Sequence, residues 1–366
     1  MIPSKIGFVG LGHIGGSVAK TIHRIYPGIE LIAFDTSEET LREAHKEGLI
    51  REGYSEIGEA FSGCDYIYLC APVLNNTEYL KDVKPFAEAN PDLLITDVGS
   101  VKTGIHEKVI EYGLEENFIG GHPMCGTEHT GFSHSTAYML ENAWYIITPT
   151  AKTDPRKLAE FRTFTDSLDA LTMVLDYKEH DFTVGSISHL PHVISATLVN
   201  LVKKLDNKEG TLRTVAAGGF KDITRISSSS PLMWENICEA NRGQILELLD
   251  TYIDSLQNSR DIIAEGNGEK IYSFFEEARD YRDSFSENVS GPISRSFSIY
   301  CDLVDEAGGI ATIATILAAS NISIKNIGIT HNREFQDGAL GIEFYTYEAR
   351  TKAADLLRKY HYTVYE

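Results

Sequence analysis

Through the first 150 residues, short apolar runs alternate with stretches of helical period. Residues 5–10, 30–35, 65–71 and 93–98 are each rich in Ile, Leu, Val, Phe or Tyr and end in a turn signal, which predicts strands. Between them, residues 14–26, 38–47 and 105–112 carry the spacing of helices. Alternating strand and helix predicts a parallel, doubly wound α/β sheet. Residues 144–148 continue it, and a helix over 155–168 with a strand over 172–175 adds one more pair.

The texture changes near Tyr177. From there to about residue 284 the periodicity is helical. One long helix is predicted over 182–205 despite Pro191, a second over 232–263 and a third over 269–285. In the second, Ile237, Ile245, Leu248, Leu249, Tyr252, Ile253 and Leu256 recur at three and four. Residues 286–295 are polar and rich in Ser, Asn and Gly, and read as a linker. The remainder runs strand, helix, strand, strand, helix, strand, the βαββαβ order of a ferredoxin-like split. Three domains are therefore expected, at 1–176, 177–286 and 295–366.

The net charge of −20 argues against a nucleic-acid partner, which would require a basic stripe. An acidic protein that binds an anion must instead focus a few cations in a cleft. Five scattered cysteines without a CxxC pair indicate neither a zinc site nor a disulfide framework, and suit a reducing cytoplasm. The first apolar stretch, residues 6–9, is too short for a signal peptide, and no uninterrupted apolar run predicts a membrane span.

Gly10-Leu11-Gly12-His13-Ile14-Gly15 follows a predicted strand and opens a predicted helix, and Asp35 ends the next strand. In that context the glycine motif points to a dinucleotide. Gly10 permits the tight turn, Gly12 lets the backbone approach a pyrophosphate, and Gly15 lets helix and strand pack closely. Asp35 would bond a ribose 2′-hydroxyl and repel a 2′-phosphate, favouring NAD over NADP. His13 and Ile14 lie inside the loop and are candidate cofactor contacts.

Four islands follow: Asp97-Val98-Gly99-Ser100-Val101-Lys102, Gly120-Gly121-His122-Pro123-Met124-Cys125-Gly126-Thr127-Glu128, Ser188-His189-Leu190-Pro191-His192, and Gly218-Gly219-Phe220-Lys221-Asp222-Ile223-Thr224-Arg225-Ile226 continuing to Trp234. In this order, behind the glycine motif, the chain resembles the prephenate dehydrogenases over residues 5–285. The resemblance implies that His122 polarises the C4 hydroxyl of prephenate, that Ser100 orients His122, and that Arg225 binds a substrate carboxylate. It also places His192 in the substrate pocket, with Thr127, Lys221 and Trp234 at further pocket positions. It implies a homodimer with interlocked helical domains, in which Lys221 reaches the partner's site. A histidine suits proton transfer because its ordinary pKa lies near neutrality, and a guanidinium suits a carboxylate because it binds in two-pronged fashion. His122, between two glycines and a proline, is expected in a special loop. His189 lies one helical turn from His192, and one of the pair is expected to be structural. His180 and Asp181 read as solvated, Asp222 as an ion-pair partner or a catalytic group.

The C-terminal segment resembles an ACT domain through Asp302 to Asp305, Gly308, Gly309 and Asn321-Ile322-Ser323-Ile324-Lys325-Asn326-Ile327. That resemblance implies L-tyrosine as an allosteric ligand held at a helix N-terminus. The whole implies NAD-dependent oxidative decarboxylation of prephenate to 4-hydroxyphenylpyruvate. Arogenate is the alternative substrate. A 3-hydroxyacid-type dehydrogenase would share the layout but relies on a lysine of a long helix. A catalytically silent sensor of NAD and amino acids is the non-enzymatic alternative.

Overall fold

In the computed structural model, residues 2–126, 130–285, 297–303, 308–330 and 338–365 are described. The chain divides into two compact units, 1–261 and 262–366.

The first unit opens on strands β1 (Lys5–Val9), β2 (Glu30–Phe34), β3 (Glu52–Tyr54), β4 (Tyr66–Leu69) and β5 (Leu94–Asp97), interleaved with helices α1 (His13–Ile25), α2 (Glu38–Lys46) and α3 (Val73–Ala89) and followed by α4 (Thr103–Tyr112). The five strands form one sheet in the order β3-β2-β1-β4-β5, all parallel. The doubly wound fold is as expected, with β3 and α3 added to the predicted elements. The near-continuous apolar runs have a physical reason: helices cover both faces of the sheet, so neither side of a strand meets water. Ile6, Phe8, Tyr66 and Tyr68 enter one core with Val18 and Ile22 of α1. Val9, Ile67 and Leu69 enter the opposite core with Leu80 and Val83 of α3 and Ile105 and Val109 of α4. Each such large apolar side chain contributes about 1.5–3 kcal/mol on burial.

Strands β6 (Ile119–Pro123), β7 (Trp144–Pro149) and β8 (Leu171–Val174), with helix α5 (Pro155–Asp166) between the last two, form a second sheet. β6 runs antiparallel to β7, while β7 and β8 are parallel. A bridge between Ile95 and Phe118 joins this sheet to β5. The special loop expected around His122 is therefore a correction: His122 lies in β6, paired with Ile146. The preceding glycines allow the strand to close on its neighbours, since a Cβ on Gly121 would stand 2.5 Å from the Tyr145 hydroxyl and 2.7 Å from the Asp97 carbonyl.

The helical half holds α6 (Tyr177–Val184), α7 (Leu190–Leu205), α8 (Thr211–Val215), α9 (Gly218–Thr224), α10 (Pro231–Ala240) and α11 (Arg242–Glu265). Between α6 and α7 the helix widens for one π turn, Gly185–His189, in which the Leu190 amide donates to the Gly185 carbonyl. Pro191, which has no N–H to give, follows directly on the π turn, in the first turn of α7. The single helix predicted over 232–263 is instead two, broken at Asn241. By length and composition the run Tyr177–Leu205 could cross a membrane. Phe182, Ile187, Leu201 and Leu205 on it are exposed, as are Leu246, Ile253 and Leu256 of α11, whereas His180 and Asp181 are fully buried.

The second unit contains α12 (Gly268–Ser284), then β9 (Phe297–Leu303), α13 (Gly309–Ala319), β10 (Ile324–Thr330), β11 (Gly338–Phe344), α14 (Tyr347–Lys359) and β12 (Val364–Tyr365). The sheet order β10-β11-β9-β12, antiparallel throughout, is the ferredoxin-like arrangement that was expected. Its core joins Ile299, Cys301, Leu340 and Ile342 to Ile313 and Leu317 of α13 and Ala353 and Leu357 of α14. The predicted linker at 286–295 lies outside the described residues, as does Asp305.

Candidate active site

Strand order reverses between β1 and β4, and a crevice opens at the carboxyl ends of strands at such a point. The glycine motif sits there. Gly10 has a φ of +99°, in the left-handed region that favours glycine, and a Cβ on it would lie 3.0 Å from the Ala71 amide beyond β4. A Cβ on Gly15 would lie 2.6 Å from the Cys70 Cβ, so its absence lets α1 rest on β4. Gly12, by contrast, has open space where a Cβ would stand, and as the N-cap of α1 it brings no side chain to the helix N-terminus. That open cradle over a helix N-terminus fits a diphosphate. Asp35 follows β2 and accepts the Leu11 amide and the Ser37 amide, each at 2.8 Å. Its carboxylate ties the glycine turn to β2 and keeps lone pairs for ribose hydroxyls. His13 and Ile14, both partly exposed, begin α1. The Ile14 Cδ1 is 3.6 Å from where a Cβ on Gly126 would stand, so the island after His122 comes down beside the cofactor turn.

Two strands away from β1, the end of β5 carries Asp97. Its carboxylate accepts the Gly99 amide at 2.9 Å, the Gly121 amide at 3.2 Å and the Lys102 ammonium. Lys102 is wholly buried and also donates to the Gly121 carbonyl at 2.8 Å. Burial pulls its ammonium below the ordinary lysine value, against the attraction of Asp97.

The His122 ring stands on this platform. Its Nδ1 is 2.8 Å from Nε2 of His180, whose Nδ1 is 2.8 Å from Oδ1 of Asp181. Asp181 also accepts the amides of Lys102 and Thr103, each at 2.7 Å, at the start of α4. Burial pushes the Asp181 carboxyl up, but the hydrogen bonds from His180, Thr103 and Lys102 outweigh it and hold it below the ordinary carboxylate range. Burial draws His180 below the usual imidazole value. It draws His122 well below, helped by His180, Lys102 and His189. The expectation that His180 and Asp181 are solvated is thus overturned, because both are fully buried behind His122. Helical spacing held the signal: Asp181, Gly185 and His189 recur at four, on the buried side of one helix. Ser100, partly exposed, follows β5, and among the described residues it is His180 that bonds the His122 ring.

The helical half supplies the remaining candidates. His189 is buried, and its Nδ1 accepts from the Asn241 amide at 3.0 Å; the same amide donates to the Asp181 carbonyl at 2.9 Å. The break at Asn241 aims that side chain, which the helical reading missed. Burial lowers His189 to about 4. His192 is partly exposed, with its ring stacked 3.9 Å from that of Trp234 and its Nδ1 on the Ser188 carbonyl at 2.9 Å. Burial lowers its pKa, and the nearby Arg225 charge lowers it further. Buried Ser195 bonds the Ile223 carbonyl at 3.1 Å and the Ser227 hydroxyl at 2.6 Å, which fixes to α7 the short turn bearing exposed Arg225. Lys221 is exposed on α9 together with Asp222. Thr127 and Glu128 lie outside the described residues.

Comparison with known proteins bears on the same elements. Residues 18–174 match the nucleotide-binding domain of prephenate dehydrogenase, and residues 176–277 match its dimerization domain. A prephenate dehydrogenase of Bacillus subtilis is 35% identical over 349 residues, 94% of this chain and 93% of its own. The crystal structure of prephenate dehydrogenase from A. aeolicus, in complex with hydroxyphenyl propionate and NAD⁺, is similar with a TM-score of 0.73 at 29% identity, over 78% of this chain and 99% of that one. A Synechocystis arogenate dehydrogenase structure reaches a TM-score of 0.68 at 29% identity, over 77% and 99%. The two domain matches run almost unbroken from residue 18 to 277 and take in the histidine cluster, and the Bacillus subtilis relative aligns with 94% of the chain, so the chain belongs to the prephenate dehydrogenase family of NAD-dependent oxidoreductases.

Proposed function

We propose that the chain converts prephenate and NAD⁺ to 4-hydroxyphenylpyruvate, carbon dioxide and NADH. The observation that carries this reading is His122, a partly exposed residue of β6 whose surroundings favour the neutral ring. A neutral imidazole can take the proton of the C4 hydroxyl as that carbon is oxidised. Gly12 and the N-terminus of α1 would hold the diphosphate of NAD⁺, which would supply the hydride acceptor, while Gly10 and Gly15 shape the turn. The ring then gains aromaticity by losing its carboxylate as carbon dioxide. Arg225 binds a substrate carboxylate, with His192 and Trp234 forming an adjoining stacked wall. By their motif positions Ser100 is assigned to orient His122, and Thr127 and Lys221 to the substrate side. Product analysis tests the reading: one 4-hydroxyphenylpyruvate and one carbon dioxide per NADH are expected. NADH formation with carbon dioxide retained on the product would overturn it.

Arogenate, with an amine in place of the keto group, is the second reading, favoured by the structural likeness to the Synechocystis enzyme. The dimerization-domain match and the exposed apolar residues of α7 and α11 support a homodimer in which each helical half covers the other. The ferredoxin-like unit is assigned as an ACT domain that binds L-tyrosine. Gly308, with a φ of +97°, opens α13 and as its N-cap brings no side chain to the helix N-terminus, a place for an amino-acid carboxylate. Tyrosine is expected to inhibit the full chain without competing with prephenate. Purely competitive inhibition would move tyrosine to the active site.

A further inference from the structure

We propose that His180 and Asp181 are positioning residues that fix the tautomer of His122, so that its Nε2 always faces substrate as a proton acceptor. This rests on His122 being the base in the reaction proposed above.

The argument is one of donors and acceptors. Asp181 is held as a carboxylate by the amides of Lys102 and Thr103, so it can only accept. The proton in the 2.8 Å contact with His180 therefore sits on His180 Nδ1. A neutral imidazole carries one N–H, so His180 Nε2 is left as a lone pair. The 2.8 Å contact from His180 Nε2 to His122 Nδ1 needs one donor, and only His122 can supply it. His122 then carries its proton on Nδ1, and its Nε2 is an acceptor. Among the described residues no hydrogen bond reaches Nε2. Burial of both rings keeps them neutral, which this assignment requires.

The charged and titratable groups around the relay are consistent with it. Lys102 faces it from the β5–α4 turn but gives its protons to Asp97 and Gly121. His189, on the turn below, is engaged through Nδ1 by Asn241, which also bonds the Asp181 carbonyl. The relay thus has a rigid far end: Asp181 is bonded at both carboxylate oxygens and at its own carbonyl, by residues of three separate elements. Orientation by a buried carboxylate is known to matter for other histidine bases, where the wrong tautomer costs about 10⁴-fold in turnover.

The test is ¹⁵N solid-state NMR of the full chain labelled at histidine, with NAD⁺ bound and the His122 signals identified by their loss in His122→Asn. A protonated Nδ1 and an unprotonated Nε2 are expected. The reverse would overturn the proposal, whatever the substrate proves to be. Turnover provides the second arm. His180→Leu should lower kcat by about 10²-fold or more while KM for both substrates stays within about threefold. His180→Gln, whose side-chain oxygen can still accept from Nδ1, should recover about tenfold over the leucine variant. Folding is checked by NAD⁺ binding. A folded His180→Leu with kcat within about twofold of wild type, or equal loss in both variants, would show that the relay does not position the base. If wild type turns over neither prephenate nor arogenate, the reaction assignment fails while the NMR result still decides the tautomer.

Discussion

The buried ammonium of Lys102 donates to the carbonyl of Gly121 at 2.8 Å, one residue before His122. Asp97 completes the pair at the same ammonium, so one ion pair links the end of β5 to the strand that bears His122. Removing one partner of a buried pair leaves the other charge uncompensated and costs about 3–5 kcal/mol. Lys102→Met should therefore lower the denaturation midpoint sharply, and the double variant Asp97→Leu/Lys102→Met should regain part of the loss. Equal stability of wild type and Lys102→Met would deny the pair its structural role.

Asp35 accepts two backbone amides and is assigned to the ribose of NAD⁺. In Asp35→Asn the side chain keeps one acceptor oxygen and loses the charge that repels a 2′-phosphate. KM for NAD⁺ is expected to rise about tenfold, the worth of one charge-assisted hydrogen bond, and NADP⁺ should become a measurable substrate. Unchanged selectivity would place the discrimination elsewhere.

His122 and Arg225 should fail in different ways. Loss of the base in His122→Asn is expected to cut kcat by about 10²–10⁴-fold with substrate affinity largely kept. Arg225→Gln removes binding shared by ground and transition states, so KM should rise about tenfold or more with kcat less affected. Steady-state kinetics separate the two. A kcat defect in the arginine variant and a KM defect in the histidine variant would invert the assigned roles.

Acid should destabilise the protein earlier than its carboxylates alone dictate. His189 titrates at about 4 and His106 at about 3 in the folded chain, because both are buried, against about 6.5 when unfolded. Between those values the unfolded chain binds more protons than the folded one. Stability is then full above pH ~6.5 and falls as pH drops towards 4, by up to about 1.4 kcal/mol per unit for each histidine. Chemical denaturation at pH 7, 6 and 5 reads this slope. A flat profile that steepens only below pH 4 would contradict buried neutral histidines.

Where a residue serves local structure, the sequence is transparent. The apolar runs of β1, β2, β4 and β5 reveal strands because both faces are covered, and the glycine turn reveals its crevice because Gly10 and Gly15 have no substitutes there. Strand β6 is opaque for the opposite reason. Its Ile-Gly-Gly-His-Pro run holds a single strand former, Ile119, since Tyr145 and Asp97 occupy the space where a side chain at Gly121 would stand. Asn241 is hidden because the apolar spacing of Ile237 and Ile245 continues across the break. His180 and Asp181 read as polar surface because their burial depends on partners 58 and 78–79 residues away.

The most direct test is NADH formation from purified protein mixed with prephenate and NAD⁺, run beside arogenate and NADP⁺. Rapid turnover with prephenate and NAD⁺ alone is the predicted result, and it would join His122, Arg225 and Asp35 in one reaction. No NADH in any arm, from a folded protein that binds NAD⁺, would contradict the account.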